Sequence, residues 1–109
     1  MNGIATTIEQ SKKLIDLGLD TKTADLYWWT YENKTYLSSM DDKEYQVRTD
    51  TPAWSLSALL ALAPTDTSVL RKGDNCYVCD CVDYGTPYFE TAVDAAYDLV
   101  KHLLEKQKK

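Results

Sequence analysis

Apolar residues recur at helical spacing near both ends of the chain. Near the N-terminus, Ile8 and Ile15 follow this spacing, which predicts a first helix. Thr7 and Gln10 have the spacing of a capping box, in which each side chain accepts a hydrogen bond from the other residue's backbone amide. Gly18 is expected to end the helix, because glycine readily adopts the left-handed conformation that follows many helices.

The C-terminal helix is predicted with a longer apolar stripe. Thr91 is its expected N-cap, with Asp94 completing the capping box, and the helix extends to about Lys106. The stripe consists of Val93, Ala96, Leu99, Val100, Leu103 and Leu104.

A third, shorter helix is predicted over residues 56–63. Ser55 is its expected cap, and Pro64 ends it because proline lacks the amide hydrogen that a helix needs. This segment is apolar on nearly every side, which predicts a helix that is buried all round. Trp54, just before the cap, is expected to pack against it.

After Leu26 the chain becomes rich in aromatic and β-branched residues, which favour strands. Residues 27–31 are predicted to form a strand, residues 32–34 a turn and residues 35–37 the return strand of a hairpin. Residues 38–44 are polar and predicted as a loop. A further short strand is predicted at residues 45–48.

The second group of strands lies between the short helix and the last one. Residues 69–72 and 76–82 are predicted strands joined by a turn at residues 73–75. A second turn, at residues 83–87, leads to a last short strand at residues 88–90. Because strands follow one another without intervening helices in each group, the order predicts an α+β fold.

Residues 1–109 are therefore expected to form a single α+β domain. We predict one antiparallel sheet of about four or five strands, with three helices packed mainly on one of its faces.

Charge and hydropathy exclude several classes of function. Twelve basic residues against seventeen acidic ones give a net charge of −5, which disfavours binding to nucleic-acid phosphates. The longest apolar run is shorter than the ~20 residues that a membrane span requires. Since no secretory signal is visible and the cysteines are bunched, we expect a cytoplasmic protein that does not bind membranes.

Three cysteines within six residues look like a metal site or a redox pair. If Cys76 lies on the predicted strand, alternation points it away from Cys79 and Cys81, which share a face with Tyr77. Cys76 would then lie on the other face with Val78. This separation disfavours a chelate or a disulfide, and predicts small apolar thiols in a buried strand.

An enzyme would have to use Cys79 or Cys81 as a nucleophile, with His102 as its base. His102 is the only histidine, and it follows Asp98 by one helical turn outside the apolar stripe. That position favours an exposed histidine on the helix surface. Motifs for binding phosphates, metals or cofactors are missing from the sequence, so no cofactor and no metal site are predicted.

The aromatic residues are the better functional lead. Eight tyrosines and three tryptophans are present, and on the first strand Tyr27, Trp29 and Tyr31 share one face while Trp28 lies on the other. In a sheet with a single helical layer, one of these faces stays open. These four residues form the candidate binding surface, since exposed tyrosine and tryptophan are enriched at interfaces. The alternative is that the rings merely cover the sheet.

Three segments resemble a known group of proteins: residues 8–19 with 23–25, residues 52–60, and residues 92–100 with 103–105. Together they resemble a group of small proteins of unknown activity from anaerobic gut bacteria and their phages or mobile elements. The resemblance implies an origin in a prophage or mobile element, and it assigns no site residues.

The leading hypothesis is a non-catalytic protein-interaction module. It would bind an unidentified protein, or a second copy of itself, through the open aromatic face of the sheet. One alternative is an acidic decoy that inhibits a host nucleic-acid-binding protein, which would need a continuous acidic surface. The other is the cysteine-dependent enzyme described above.

Overall fold

The computed structural model describes residues 4–39, 50–71, 76–81 and 84–107. Within these residues the chain forms three α-helices, a 3₁₀ turn at Thr21–Thr23 and two three-stranded antiparallel sheets. The α+β class is confirmed. In chain order the main elements are α1 (Ile8–Asp16), β1 (Leu26–Tyr31), β2 (Lys34–Ser39), β3 (Thr51–Ala53), α2 (Leu56–Leu62), β4 (Ser68–Arg71), β5 (Tyr77–Cys81), β6 (Tyr84–Gly85) and α3 (Ala92–Gln107).

The prediction of a single sheet is wrong in detail, because each group of strands forms a sheet of its own. The strand order is β2-β1-β3 in the first sheet and β4-β5-β6 in the second. Each sheet is completed by a short strand that the pattern did not reveal. In β3, Pro52 conceals the strand signal, although proline is tolerated on an edge strand such as this one.

The short strand β6 lies inside the segment predicted as a turn. Gly85 pairs with Asp80 of β5, and a side chain there would begin 2.6 Å from the Asp80 carboxylate oxygen. Glycine therefore allows the two strands to approach at this point. The strand predicted at residues 88–90 is reduced to a single bridge between Phe89 and Tyr77.

The boundaries of α1 confirm the predicted caps. The Gln10 amide donates to Thr7 Oγ1 at 3.1 Å, and the Thr7 amide donates to Gln10 Oε1 at 2.9 Å. Gly18 has a φ of 98°, and the Leu19 amide donates to the Leu14 carbonyl at 3.0 Å. This is a Schellman motif, which returns the chain toward the helix.

A two-residue turn joins β1 to β2. Glu32 and Asn33 have φ values of 50° and 64°, and Tyr31 pairs directly with Lys34. Positive φ at both positions is typical of a type I′ turn, whose twist matches that of the paired strands. The return strand is therefore longer than predicted, and it includes two residues at the start of the predicted loop. The strand predicted at residues 45–48 and the turn predicted at residues 73–75 lie outside the described residues.

The prediction that the short helix is buried all round is wrong. Ser55 does cap α2, since its Oγ accepts from the Ala58 amide at 3.2 Å. Of the residues in the helix, however, Leu59 alone is buried, and Ala61 is exposed. The helix packs against α3 on one side and faces solvent on the other.

Thr91 caps the last helix as predicted, but the Asp94 carboxylate, which was expected to complete the capping box, bonds to the first helix. The Asp94 amide donates to Thr91 Oγ1 at 3.0 Å. The Asp94 carboxylate accepts from Gln10 Nε2 at 2.9 Å, which connects α3 to the start of α1. None of the described helices is long and apolar enough to cross a membrane.

The core lies between α3, α2 and the second sheet. Its largest fully buried side chain is Trp54, whose Nε1 donates to Thr23 Oγ1 at 2.9 Å. The satisfied indole nitrogen allows the ring to be buried without an unpaired polar group. The core cluster comprises Leu14, Ala24, Trp54, Leu59, Cys79, Val93, Ala95, Ala96, Leu99 and Val100.

Candidate binding surface on the first sheet

The register of the hairpin determines which side chains lie together. Trp29 is directly opposite Tyr36, and Tyr31 is directly opposite Lys34. Directly opposed residues of an antiparallel pair lie on the same face of the sheet. Because alternation places Trp29 and Tyr31 on one face, Trp29, Tyr31, Lys34 and Tyr36 form one surface, which we call the hairpin face.

Among the described residues, the third strand, β3, pairs with the end of β1 away from the turn, at Leu26, Tyr27 and Trp28. It does not pair there with the distal half of the hairpin, which carries the turn. Tyr27 is only 2% exposed and is part of the buried core. Although it shares a face with Trp29 and Tyr31 by alternation, its burial removes it from the accessible surface.

Two rings are fixed in place on the distal half. The rings of Trp29 and Tyr36 stack with centroids 4.6 Å apart and planes inclined by 26°. The indole nitrogen of Trp29 donates to Ser38 Oγ at 2.8 Å. Tyr31 lies beside this pair and is 61% exposed. The hairpin face therefore combines a rigid stacked pair with one freely accessible ring.

Tyr36 and Lys34 were missed as candidate residues at the sequence level. The length of the turn could have revealed them. A two-residue turn at positions 32 and 33 fixes the register of the hairpin, so that Lys34 lies opposite Tyr31 and Tyr36 lies opposite Trp29. A three-residue turn, as predicted, leaves the cross-strand partners undefined.

Trp28 lies on the opposite face of the hairpin. Its indole nitrogen donates to the Thr6 carbonyl oxygen at 2.8 Å. It lines a groove of about 470 Å³ between the hairpin and the first turn of α1. The other described residues that line this groove are Thr7, Ile8, Glu9 and Thr35. The four predicted aromatic residues thus occupy three different environments.

Cys79 and Cys81 lie on the strand as predicted, but the prediction that Cys76 belongs to the same buried strand is wrong. Cys79 is completely buried and Cys81 packs against the same core, whereas Cys76 precedes β5 and is exposed. All three are free thiols. Burial, and then the charge of Asp80, raise the pKa of Cys79 to about 11. A neutral thiol at physiological pH is a poor nucleophile.

His102 is less exposed than its position on the helix predicts. The ring of Tyr84 covers it, with centroids 3.9 Å apart and planes inclined by 8°. The Tyr84 hydroxyl donates to Asp98 Oδ2 at 2.7 Å, and this hydrogen bond is the main reason that the pKa of Tyr84 rises to about 12. Asp98 is therefore bound to Tyr84.

The cysteine and histidine of the enzyme hypothesis are not joined in the described part of the chain. There, no hydrogen bond links the thiol of Cys79 or Cys81 to His102. The same residues include no group of three histidine, cysteine or acidic side chains placed to hold a metal ion.

The exposed acidic side chains are spread over many elements. Some are already engaged: Asp25 accepts from the Ser55 amide at 2.9 Å. Among the described residues they do not concentrate on one element. The exposed acids among the described residues are Glu9, Asp16, Asp20, Asp25, Glu32, Asp66, Asp80, Glu90 and Glu105.

Comparison of the chain with protein-family models, curated proteins and solved structures finds no match. The inference of function therefore rests on the surfaces described above.

Proposed function

We propose that the protein is a non-catalytic protein-interaction module that binds a partner protein, or a second copy of itself, through the hairpin face. The observation that carries this proposal is the 61% exposure of Tyr31 beside the stacked rings of Trp29 and Tyr36. Tyrosine and tryptophan offer a large contact area with few rotatable bonds, so that their ordering on binding costs little entropy.

The hairpin face is prepared for contact with an apolar surface. The only polar atom of the Trp29 side chain already has its partner in Ser38, so a partner that covers the indole need not supply one. The Tyr31 and Tyr36 hydroxyls can bond to solvent or to a partner. Lys34 adds one charge at the edge of the face, where a polar rim is usual for an interface.

The exposed tyrosine outside the hairpin face, Tyr88, lacks this setting. It is 66% exposed, but it lies in the segment before α3, and no ring of the described residues stacks on it. Tyr31 and Tyr88 therefore match in residue type and exposure while they differ in surroundings. This makes Tyr88 a suitable control.

Within this proposal, the resemblance described above supports an origin in a prophage or mobile element, and the free, bunched cysteines support action in the cytoplasm. The partner would then be a protein of the host cell or of the element itself.

The proposal is tested by affinity capture from a lysate of the source organism with three baits: wild type, Tyr31→Ala and Tyr88→Ala. We expect Tyr31→Ala to lose the captured protein and Tyr88→Ala to retain it. Light scattering on the same three proteins at increasing concentration tests self-association in the same way. Equal capture and equal self-association by all three baits would contradict the proposal.

A further inference from the structure

The groove beside Trp28 is a second concave surface, and it is separate from the hairpin face. Trp28, Ile8 and Glu9 line it together with the hydroxyl-bearing residues Thr7 and Thr35. Its volume of about 470 Å³ lies within the range of pockets that hold small ligands. Because Trp28 and Trp29 are neighbours on one strand, the hairpin presents an indole ring on each of its faces.

The indole of Trp28 is held in position by a buried anchor. Its nitrogen donates to the carbonyl oxygen of Thr6, which is fully buried. Thr6 is fixed in turn, since its amide donates to the Trp54 carbonyl at 2.9 Å and its hydroxyl bonds to Ser11 Oγ at 2.7 Å. A ring fixed in this way is pre-organised, which lowers the entropy cost of binding a ligand against it.

Glu9 supplies a carboxylate at the same groove. It is exposed in the first turn of α1, and among the residues that the structure describes it forms no ion pair or hydrogen bond. Lys12 and Lys13 lie one turn further along the helix without pairing to it. Gln10 bonds to Thr7 in the capping box and its Nε2 donates to Asp94, so its side-chain amide is engaged away from the Glu9 carboxylate.

An indole ring, a carboxylate and an apolar side chain together match the chemistry of arginine. A guanidinium group stacks on tryptophan and bonds to a carboxylate through two parallel N–H groups, while its methylene stem covers apolar surface. The chain's net charge of −5 also favours the approach of a cationic partner.

We propose that the groove formed by Thr7, Ile8, Glu9, Trp28 and Thr35 binds an arginine side chain of a protein partner. Trp28 stacks on the guanidinium group and Glu9 pairs with it. This proposal does not depend on the hairpin face, which lies on the other side of the strand pair.

The test is an NMR titration of the ¹⁵N-labelled protein with N-acetyl-arginine amide. N-acetyl-citrulline amide, which is nearly the same shape but uncharged, is the matched ligand. We expect the arginine compound to shift the Trp28 indole N–H signal and the amides of residues 7–9, and the citrulline compound to shift them far less. N-acetyl-lysine amide should bind more weakly than arginine, because an ammonium group does not stack and pair in the same way.

Two variants test the residues. Glu9→Gln should weaken arginine binding by about fivefold, which is the upper range for an exposed ion pair, whereas Glu105→Gln on α3 should leave it unchanged. Tyr31→Ala should also leave it unchanged, which separates this proposal from the hairpin face. Equal binding of arginine and citrulline, equal binding of arginine and lysine, or no effect of Glu9→Gln would each overturn the proposal.

Discussion

The two sheets of this protein use aromatic residues in opposite ways. In the second sheet, Tyr77, Cys79 and Cys81 lie on the strand face that packs into the core beneath α3. In the first sheet, the distal half of the hairpin carries Tyr31 at 61% exposure. Alternation along the strand is the same in both places. Among the described residues, α3 covers this face of the second sheet and no helix covers the hairpin face, so similar side chains become core in one sheet and accessible surface in the other.

The covered sheet should be the more sensitive to loss of apolar volume. Leu99 of α3 is completely buried. We expect Leu99→Ala to lower the free energy of unfolding by about 2–5 kcal/mol, because a cavity is left that the surroundings fill only in part. Urea denaturation measures this loss.

The matched control for that substitution is Leu70→Ala on the edge strand β4. Leu70 is 39% exposed, so its removal should change stability by less than about 1 kcal/mol. Similar losses in the two variants would mean that α3 does not cover the second sheet as described.

On the hairpin face, removing the stacked ring should cost more stability than removing the exposed ring. Tyr36→Ala removes the stack on Trp29 and should cost about 1 kcal/mol of stability, since aromatic pairs contribute on this order beyond their buried area. Tyr31→Ala should cost less than about 0.5 kcal/mol, as expected for a surface substitution. If Tyr31→Ala proved the more destabilising in thermal unfolding, Tyr31 would have a structural role instead of a binding one.

Alkaline pH should loosen the contact between β6 and α3. The hydrogen bond to Asp98 raises the pKa of Tyr84 from 10.0 to about 12, so the folded state holds this proton when the unfolded chain has released it. The stabilisation is thus complete below pH 10 and is lost as the pH rises from 10 to 12.

Deprotonation of Cys79 should also lower the stability of the fold, over a lower range of pH. Burial raises the pKa of its thiol from 9.0 to about 11, so that its contribution declines between pH 9 and pH 11. Denaturation at a series of pH values should therefore show falling stability above pH 9. Tyr84→Phe should reduce the fall between pH 10 and pH 12, and an unchanged slope in that variant would contradict the assigned hydrogen bond.

The smallest effect concerns the turn at the tip of the hairpin. Glu32 adopts a φ of 50°, a conformation that is unfavourable for most residues other than glycine, asparagine and aspartate. Glu32→Asn should therefore stabilise the protein by roughly 0.5 kcal/mol. Asn33→Ala should have the opposite sign, and a rise in the melting temperature for both variants would exclude a type I′ turn.

Local rules predicted the helix ends and the strand faces well. The sequence predicted the N-caps at Thr7, Ser55 and Thr91 and the helix end at Gly18. Each of these features depends on residues that are close in sequence. The burial of Cys79 and the exposure of Asp80 agree with alternation, although Val78, which shares the Asp80 face, is buried as well.

Tertiary features could not be predicted in this way. The apolar composition of α2 did not reveal that one of its sides faces solvent, since periodicity does not say what covers a helix. The separation into two sheets depends on which strand edges meet, and the strands that complete them, Thr51–Ala53 and Tyr84–Gly85, are too short for a pattern.

The candidate site was predicted only in part, because it also depends on tertiary structure. Trp29 and Tyr31 were identified from the face they share, whereas alternation did not reveal that Tyr27 on the same face is buried. The groove at Trp28 was not visible in the sequence, because it needs Glu9 of a distant helix to lie beside the hairpin.

The most direct test of the hairpin face is tyrosine-directed chemical footprinting of the protein, free and in its captured or self-associated complex. We predict that Tyr31 is modified in the free protein and protected in the complex, while Tyr88 is modified equally in both states. Protection of Tyr88 with Tyr31 still reactive would contradict binding through the hairpin face.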